Sequence, residues 1–188
     1  MTGGVLKIEI MEKILYVTDA ITFSRNSLEF ACYLSNLTHS KLTGIFLENE
    51  ALELRSSEVI REIAIGEPVP GASPESQKAL YRDKNIERFK HICECNGVKC
   101  LVHRDPGMPA AEVIKESRYA DMIVMDAGTS FSWKPEGIPT TFVEEVLEKS
   151  ECPVAVAPED FEGVEEVIFT YNGSRSSVYA MKQFANLL

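Results

Sequence analysis

His91, Cys93, Cys95, Cys100 and His103 crowd into one short stretch of the chain. Thiolates and imidazoles are the ligands of zinc and copper. The cysteines run C-x-C-x4-C, however, rather than in the paired C-x2-C form of a zinc knuckle. On a helix of ~3.6 residues per turn, Cys93 and Cys95 point roughly 200° apart. The pattern favours thiols packed as small hydrophobes over a metal centre, so no metal ligand is assigned. A thiol or metal sensor remains the weakest of three functional readings. Cys152, directly before Pro153, reads as core.

The acidic pairs carry no catalytic signature. Glu144-Glu145 and Glu165-Glu166 are adjacent, and neighbours on a helix or strand do not share a face. Asn172-Gly173-Ser174-Arg175-Ser176 lacks the G-x-S-x-G form of a nucleophile elbow. No catalytic residue is assigned. Thr141 and Glu144 have the spacing of a capping box, and Glu144 and Glu145 fall at the positive end of that helix. Asp19 follows an apolar run and precedes Ser24, a position that suits closing a strand and ordering the turn before a helix.

Those residues need elements to hold them. Strands are expected at Ile14–Thr18, Leu42–Leu47, Val98–His103, Met122–Met125 and Val154–Ala157, short and apolar on both faces as in a covered parallel sheet. Helical periodicity lies between them. Ser24–Leu37 carries Leu28, Ala31, Cys32 and Leu34 on one face, with Ser24 as its cap. Glu50–Ile65 continues as a second helix or a partly helical segment until the run from Gly66 to Gly71 breaks it. Pro74–Cys95 turns Leu80, Ile86, Phe89 and Ile92 inward, and Pro109–Tyr119 and Thr141–Ser150 follow. Alternating strands and helices imply a parallel sheet with right-handed crossovers. A ligand in such a fold sits beyond the carboxyl ends of the strands, where strand order reverses. That crevice gathers Asp19, the segment after Met125 and the region of Thr140.

The chain also repeats itself. Lys13–Asp19 is answered by Glu166–Asn172, Ser24-Arg25-Asn26-Ser27 by Ser174-Arg175-Ser176-Ser177, and Asn36-Leu37 by Asn186-Leu187. Residues 11–158 therefore read as one whole domain, 159–164 as an acidic, turn-rich linker, and 165–188 as the first strand and helix of a second copy. The apolar stripe Val178, Met181, Phe184, Ala185 and Leu188 is expected to pack on the first domain or on a partner chain. Residues 1–10 precede a second methionine, Met11, and read as an upstream start, an expression remnant or a small extra strand.

The 188 residues are 45% hydrophobic, enough for a core, and the net charge is −10. Polynucleotide binding draws on basic side chains that displace counterions, so no nucleic-acid partner is expected. No apolar run approaches the ~20 residues that cross a bilayer, and the N-terminus lacks the pattern of a secretory signal. Five cysteines without framework-like spacing suit a reducing compartment, so the cytoplasm is expected.

Three stretches together resemble the universal stress protein family. They are Lys13–Asp19 with its serine-started helix, Gly107–Ile114 running to Ala120–Met125, and Val143–Leu147 followed by Cys152-Pro153-Val154-Ala155-Val156. The resemblance implies a five-stranded parallel sheet of the Rossmann-like, adenine-nucleotide alpha hydrolase-like α/β class. It also implies a tandem-domain protein with the second domain cut short after one strand and one helix. Binding members of that family use an aspartate after the first strand. After the fourth they carry a glycine, two residues, a glycine, nine residues, a glycine, then serine or threonine. Such glycines bring backbone N–H groups close to phosphate, beside the positive end of a helix.

This chain departs from that motif. Asp126 stands at the first glycine, Thr129 at the second with Gly128 next door, and Thr140 at the third; Thr141 fits the hydroxyl position. A carboxylate at Asp126 repels phosphate. The candidate nucleotide site is thus a degenerate one of Asp19, Gly128, Thr140 and Thr141. No cofactor is expected, with ATP as the candidate should one bind. The first expectation is a non-enzymatic cytoplasmic stress-response adaptor or small-ligand sensor. The alternative is an ATP-binding, slowly hydrolysing member of the family. A homodimer through the edge strand Val154–Ala157 is expected in either case.

Overall fold

The computed structural model describes residues 11–48, 73–105, 107–132 and 134–185. The expected helix Glu50–Ile65, the break after it, the leader 1–10 and the end of the repeat at Asn186-Leu187 lie outside the described residues. Five strands form one parallel sheet: β1 (Lys13–Asp19), β2 (Lys41–Leu47), β3 (Cys100–Asp105), β4 (Met122–Asp126) and β5 (Val154–Ala157), in the order β3-β2-β1-β4-β5. The helices are α1 (Arg25–Thr38), α2 (Pro74–Cys95), α3 (Pro109–Ser117), α4 (Thr141–Lys149) and α5 (Arg175–Ala185).

Alternation along β1 sorts the core into two layers, because successive side chains leave a strand on opposite faces. Ile14 and Tyr16 join Leu28 and Ala31 of α1 and Phe89 of α2. Leu15 and Val17 join Val113 of α3 and Val143 and Val146 of α4. Tyr16 stacks on Phe89 at 6.0 Å, and Phe46 meets the same ring edge-on at 5.6 Å. Such aromatic contacts add to area burial when rings are offset or perpendicular.

Helix α1 behaves as its pattern predicts. Ser24 caps it, its Oγ accepting from Ser27 N–H at 3.3 Å, and Leu28, Ala31, Cys32 and Leu34 are all buried. Helix α2 turns Ile86, Phe89 and Ile92 inward as expected, and of that face only Leu80 departs, at 49% exposed. Tyr81 is buried beside it, and Asn85, whose amide donates to the carbonyls of Ala20 at 3.0 Å and Ile21 at 2.8 Å, faces inward as well. Strand β3 begins two residues later than expected, at Cys100. Gly97 adopts φ +68° and Val98 N–H closes back on Cys93 C=O at 2.9 Å, which uses Val98 to finish the turn.

The serine turn that opens α1 has a counterpart before α5. Ser174 Oγ accepts from Ser177 N–H at 3.2 Å and Ser177 Oγ donates to Ser174 C=O at 2.9 Å. The same two bonds join Ser24 and Ser27, at 3.3 and 3.1 Å. The expected strand is a different matter: Glu166–Asn172 pairs with no strand among the described residues, and Ile168 is 78% exposed. The reason is physical. Its counterpart β1 pairs on both sides, with β2 and β4, and an isolated strand has nothing to pay for its ordering. Helix α5 has no fully buried residue, and of its stripe Phe184 packs against the α1 layer. Phe161 anchors the segment before it, 5.2 Å from Phe30 and 5.3 Å from Tyr33 between ring centres.

Candidate functional site

Strand order reverses between β1 and β4, so the crevice lies beyond Asp19 and Asp126, the last residues of those strands. Both aspartates are buried or half-buried, and both carboxylates fold back onto their own turns. Asp19 Oδ1 accepts from Ile21 N–H at 2.8 Å, and Asp126 Oδ1 from Gly128 N–H at 2.8 Å. These are Asx turns, in which a side chain substitutes for a backbone acceptor. The turn after β1 is held further by the Asn85 amide. Thr18 Oγ1 donates to Thr22 C=O at 3.1 Å across it.

The loop from Ala127 to Thr140 closes on itself. Thr140 is buried, and its Oγ1 donates to Thr129 C=O at 2.5 Å while accepting from Val143 N–H at 3.3 Å. Thr140 N–H reaches Ala127 C=O at 3.3 Å. Ser130 Oγ donates to Glu136 Oε2, and Ser132 N–H donates to Ser130 Oγ at 3.1 Å. Phe131 turns inward and meets Phe142 edge-on at 4.8 Å, plugging the loop into the α3–α4 layer. The Ile138–Pro139 peptide is cis.

Thr140, rather than Thr141, is therefore the cap of α4, and the expected Thr141–Glu144 capping box does not form. The one-residue shift follows from the second bond of Thr140. Only an extended residue outside the helix, φ −76° and ψ 163°, can donate back to Thr129 and accept from the first turn together. Thr141 is then the first helical residue and is exposed. The Ser130 hydroxyl, then Thr141, hold the Glu136 carboxyl below the usual carboxylate range.

The structure thus brings Gly128, Thr140 and Thr141 into one loop, with Asp19 across the reversal point. Gly128 is exposed, and the one atom near a Cβ built there is Asp126 Oδ1 at 3.3 Å, so an approaching anion meets that carboxylate. Two further residues of the loop, Ser130 and Glu136, escape sequence reasoning. A carboxylate a few residues before a helix start is their sole signal. Beside them, Met108, Pro109, Phe131, Glu136, Thr141 and Phe142 line a groove of about 380 Å³ between the N-termini of α3 and α4.

The cysteines separate as their spacing implies. Cys93 is buried and Cys95 exposed. Cys93 shares the α1–α2 layer with Cys32; its thiol is pushed up first by Cys32, then by burial and by Cys100. Cys95 Sγ lies 3.7 Å from His91 Nε2 on the surface of α2. Cys152 is buried and its thiol is pushed up to about 12, chiefly by burial. Among the described residues no three His, Cys, Asp or Glu side chains are placed to hold a metal ion. Among them, too, no helix is long and apolar enough to cross a membrane.

No protein-family model and no curated protein matches the chain. Solved structures do. A protein described as hypothetical protein MJ0577, whose biochemical function was assigned from its structure, is 22% identical with a TM-score of 0.58, over 79% of this chain and 96% of that one. UspA from Lactobacillus plantarum is 16% identical with a TM-score of 0.54, over 79% and 98%.

This is the universal stress protein fold.

A universal stress protein from Archaeoglobus fulgidus, solved in complex with dAMP, shares that fold at 13% identity and a TM-score of 0.50, over 79% of this chain and 99% of that one. The universal stress protein fold accounts for the five parallel strands, their order and the helices on both faces.

Proposed function

We propose that this chain is a non-enzymatic member of the universal stress protein family, a cytoplasmic adaptor or small-ligand sensor whose nucleotide site is filled by its own side chains. One observation carries the reading. The loop after β4 spends its polar groups on itself, through Asp126 on Gly128, Thr140 on Thr129 and Ser130 on Glu136. Phosphate needs bare backbone donors at that position, and each bond already made has to be broken before a ligand is bound. Two carboxylates, Asp126 and Glu136, add repulsion.

A second reading, an ATP-binding and slowly hydrolysing protein, draws its support from the fold shared with the dAMP-bound protein of Archaeoglobus fulgidus. Nucleotide carried through purification separates the two. The protein is denatured and its supernatant chromatographed: the first reading expects adenine nucleotide far below one equivalent, and a stoichiometric amount would establish the second.

Further parts of the proposal are a tandem architecture and a homodimer. The matching serine caps of α1 and α5 support residues 165–188 as the opening of a second domain. Strand β5 is a sheet edge with Val156 exposed, a surface that invites strand pairing with a second copy. Light scattering at micromolar concentration is expected to give twice the chain mass; a stable monomer removes the homodimer.

A further inference from the structure

We propose that the groove between α3 and α4 binds a small organic cation, an ammonium joined through a short chain to one aromatic ring, with Glu136 as its counter-charge. The inference rests on the reading of the chain as a small-ligand sensor and names the class of ligand.

The groove has the size and the surfaces for such a molecule. Its volume of about 380 Å³ falls at the lower end of small-molecule sites, which run to roughly 1,000 Å³. Phe131 and Phe142 line it, and their edge-on contact at 4.8 Å holds both rings in place. Pro109 adds a rigid apolar wall, and Met108, 76% exposed, a pliant rim. An aromatic ring entering there packs against rings already fixed, and an ammonium beside a ring is drawn to its negative face.

Charge decides the sign of the ligand. Glu136 and Glu145 are the charged residues that line the groove, and among the described residues no basic side chain lines it. Glu145 is tied to Lys149, one turn on, at 2.9 Å. Glu136 instead accepts from Ser130, which fixes its carboxylate and favours the charged form, and it makes no ion pair among the described residues. It stands half-buried in the wall of the groove. The positive ends of α3 and α4 lie nearby, but Glu112 and Glu144 in their first turns offset them. An oriented carboxylate without a cation of its own, set beside aromatic rings, is complementary to an ammonium. The same carboxylate repels an anion.

The test is amide NMR of the full chain titrated with phenethylamine and, separately, with its anionic counterpart 3-phenylpropionate, using wild type, Glu136→Gln and Glu145→Gln. Phenethylamine is expected to move the amides of Met108, Ala110, Phe131 and Phe142 saturably, with a dissociation constant below about 1 mM, and 3-phenylpropionate to bind at least about tenfold more weakly. Glu136→Gln is expected to bind the amine about fivefold more weakly than wild type, and Glu145→Gln to change it less. Equal binding of amine and carboxylate overturns the proposal, as does equal binding of the amine by wild type and a Glu136→Gln protein that melts like it. So does the absence of saturating shifts from phenethylamine and tryptamine alike up to about 10 mM. Should Glu136→Gln fail to fold, the comparison of amine with carboxylate on wild type decides alone. Each of these failures leaves the self-filled loop standing, because that reading is judged by the response of Gly128, Thr140 and Thr141 to ATP.

Discussion

The hydroxyl of Thr140 donates to the carbonyl of Thr129 at 2.5 Å, tying the two ends of the β4–α4 loop across eleven residues. The same oxygen accepts from Val143 N–H and caps α4. One small side chain thus fixes both the loop and the helix that would receive a phosphate.

Thr140→Ala removes both bonds. Losing an N-cap costs about 1 kcal/mol and a buried partner left unsatisfied about as much again, so a loss of roughly 2 kcal/mol is expected in urea unfolding. Thr140→Ser restores most of it. Equal stability of all three proteins would show that the latch is incidental.

Gly44 lies on β2 beneath the aromatic stack. A Cβ there would stand 2.9 Å from Phe89 Cζ and 3.0 Å from Phe46 Cε2. Gly44→Ala is expected to cost about 1–3 kcal/mol, the usual range for overpacking a filled core. Gly137→Ala, with nothing within 4 Å and no left-handed backbone, is expected to leave the thermal midpoint near that of wild type.

Much of this fold is legible in the sequence, because burial on both faces writes a parallel strand as a short apolar run. Ile14–Thr18 and Met122–Met125 fall inside β1 and β4, and the inward face of α1 follows from its period. What escapes is set by single polar contacts between distant residues. The Asn85 bond to the β1 turn goes with a buried Tyr81 where Leu80 was expected. The Thr140–Thr129 bond moves the cap by one residue. Strand coding at Glu166–Asn172 is sound as local grammar, yet a strand is a property of a pair, and no strand among the described residues pairs with it. At the candidate site the missing glycines are plain in the sequence, whereas the bond from Ser130 to Glu136 is visible only once the loop is folded.

The thiols divide by burial. Cys95 is exposed, whereas Cys32, Cys93 and Cys152 are buried. A thiol-specific reagent such as dithionitrobenzoate is expected to modify Cys95 first, with the three buried thiols reacting only on unfolding. Thiolate is the reacting form, and the raised Cys93 and Cys152 thiols reinforce the order. Mass mapping checks it, and early labelling of Cys93 would contradict the buried α1–α2 layer.

Tyr16 gives an alkaline signature. Burial, above all, pushes its hydroxyl up to about 12 from the usual 10.0. The folded state therefore favours the neutral phenol. Its contribution is whole below pH 10 and is lost as pH rises toward about 12, because the unfolded chain releases the proton first. Cys152, raised from 9.0 to about 12, slopes the same way. Tyr16→Phe is expected to flatten part of that decline, at the neutral-pH cost of the bonds from Tyr16 to Ser24 and Ser27, about 1 kcal/mol. Unfolding midpoints from pH 8 to 12 measure both.

Amide NMR of the wild-type protein titrated with ATP and magnesium looks straight at the closed loop. If the loop is filled by its own side chains, the resonances of Gly128, Thr140 and Thr141 stay in place up to several millimolar ligand. Saturating shifts at those amides, with a common dissociation constant in the micromolar range, would mean that a nucleotide enters and that the self-filled site is wrong.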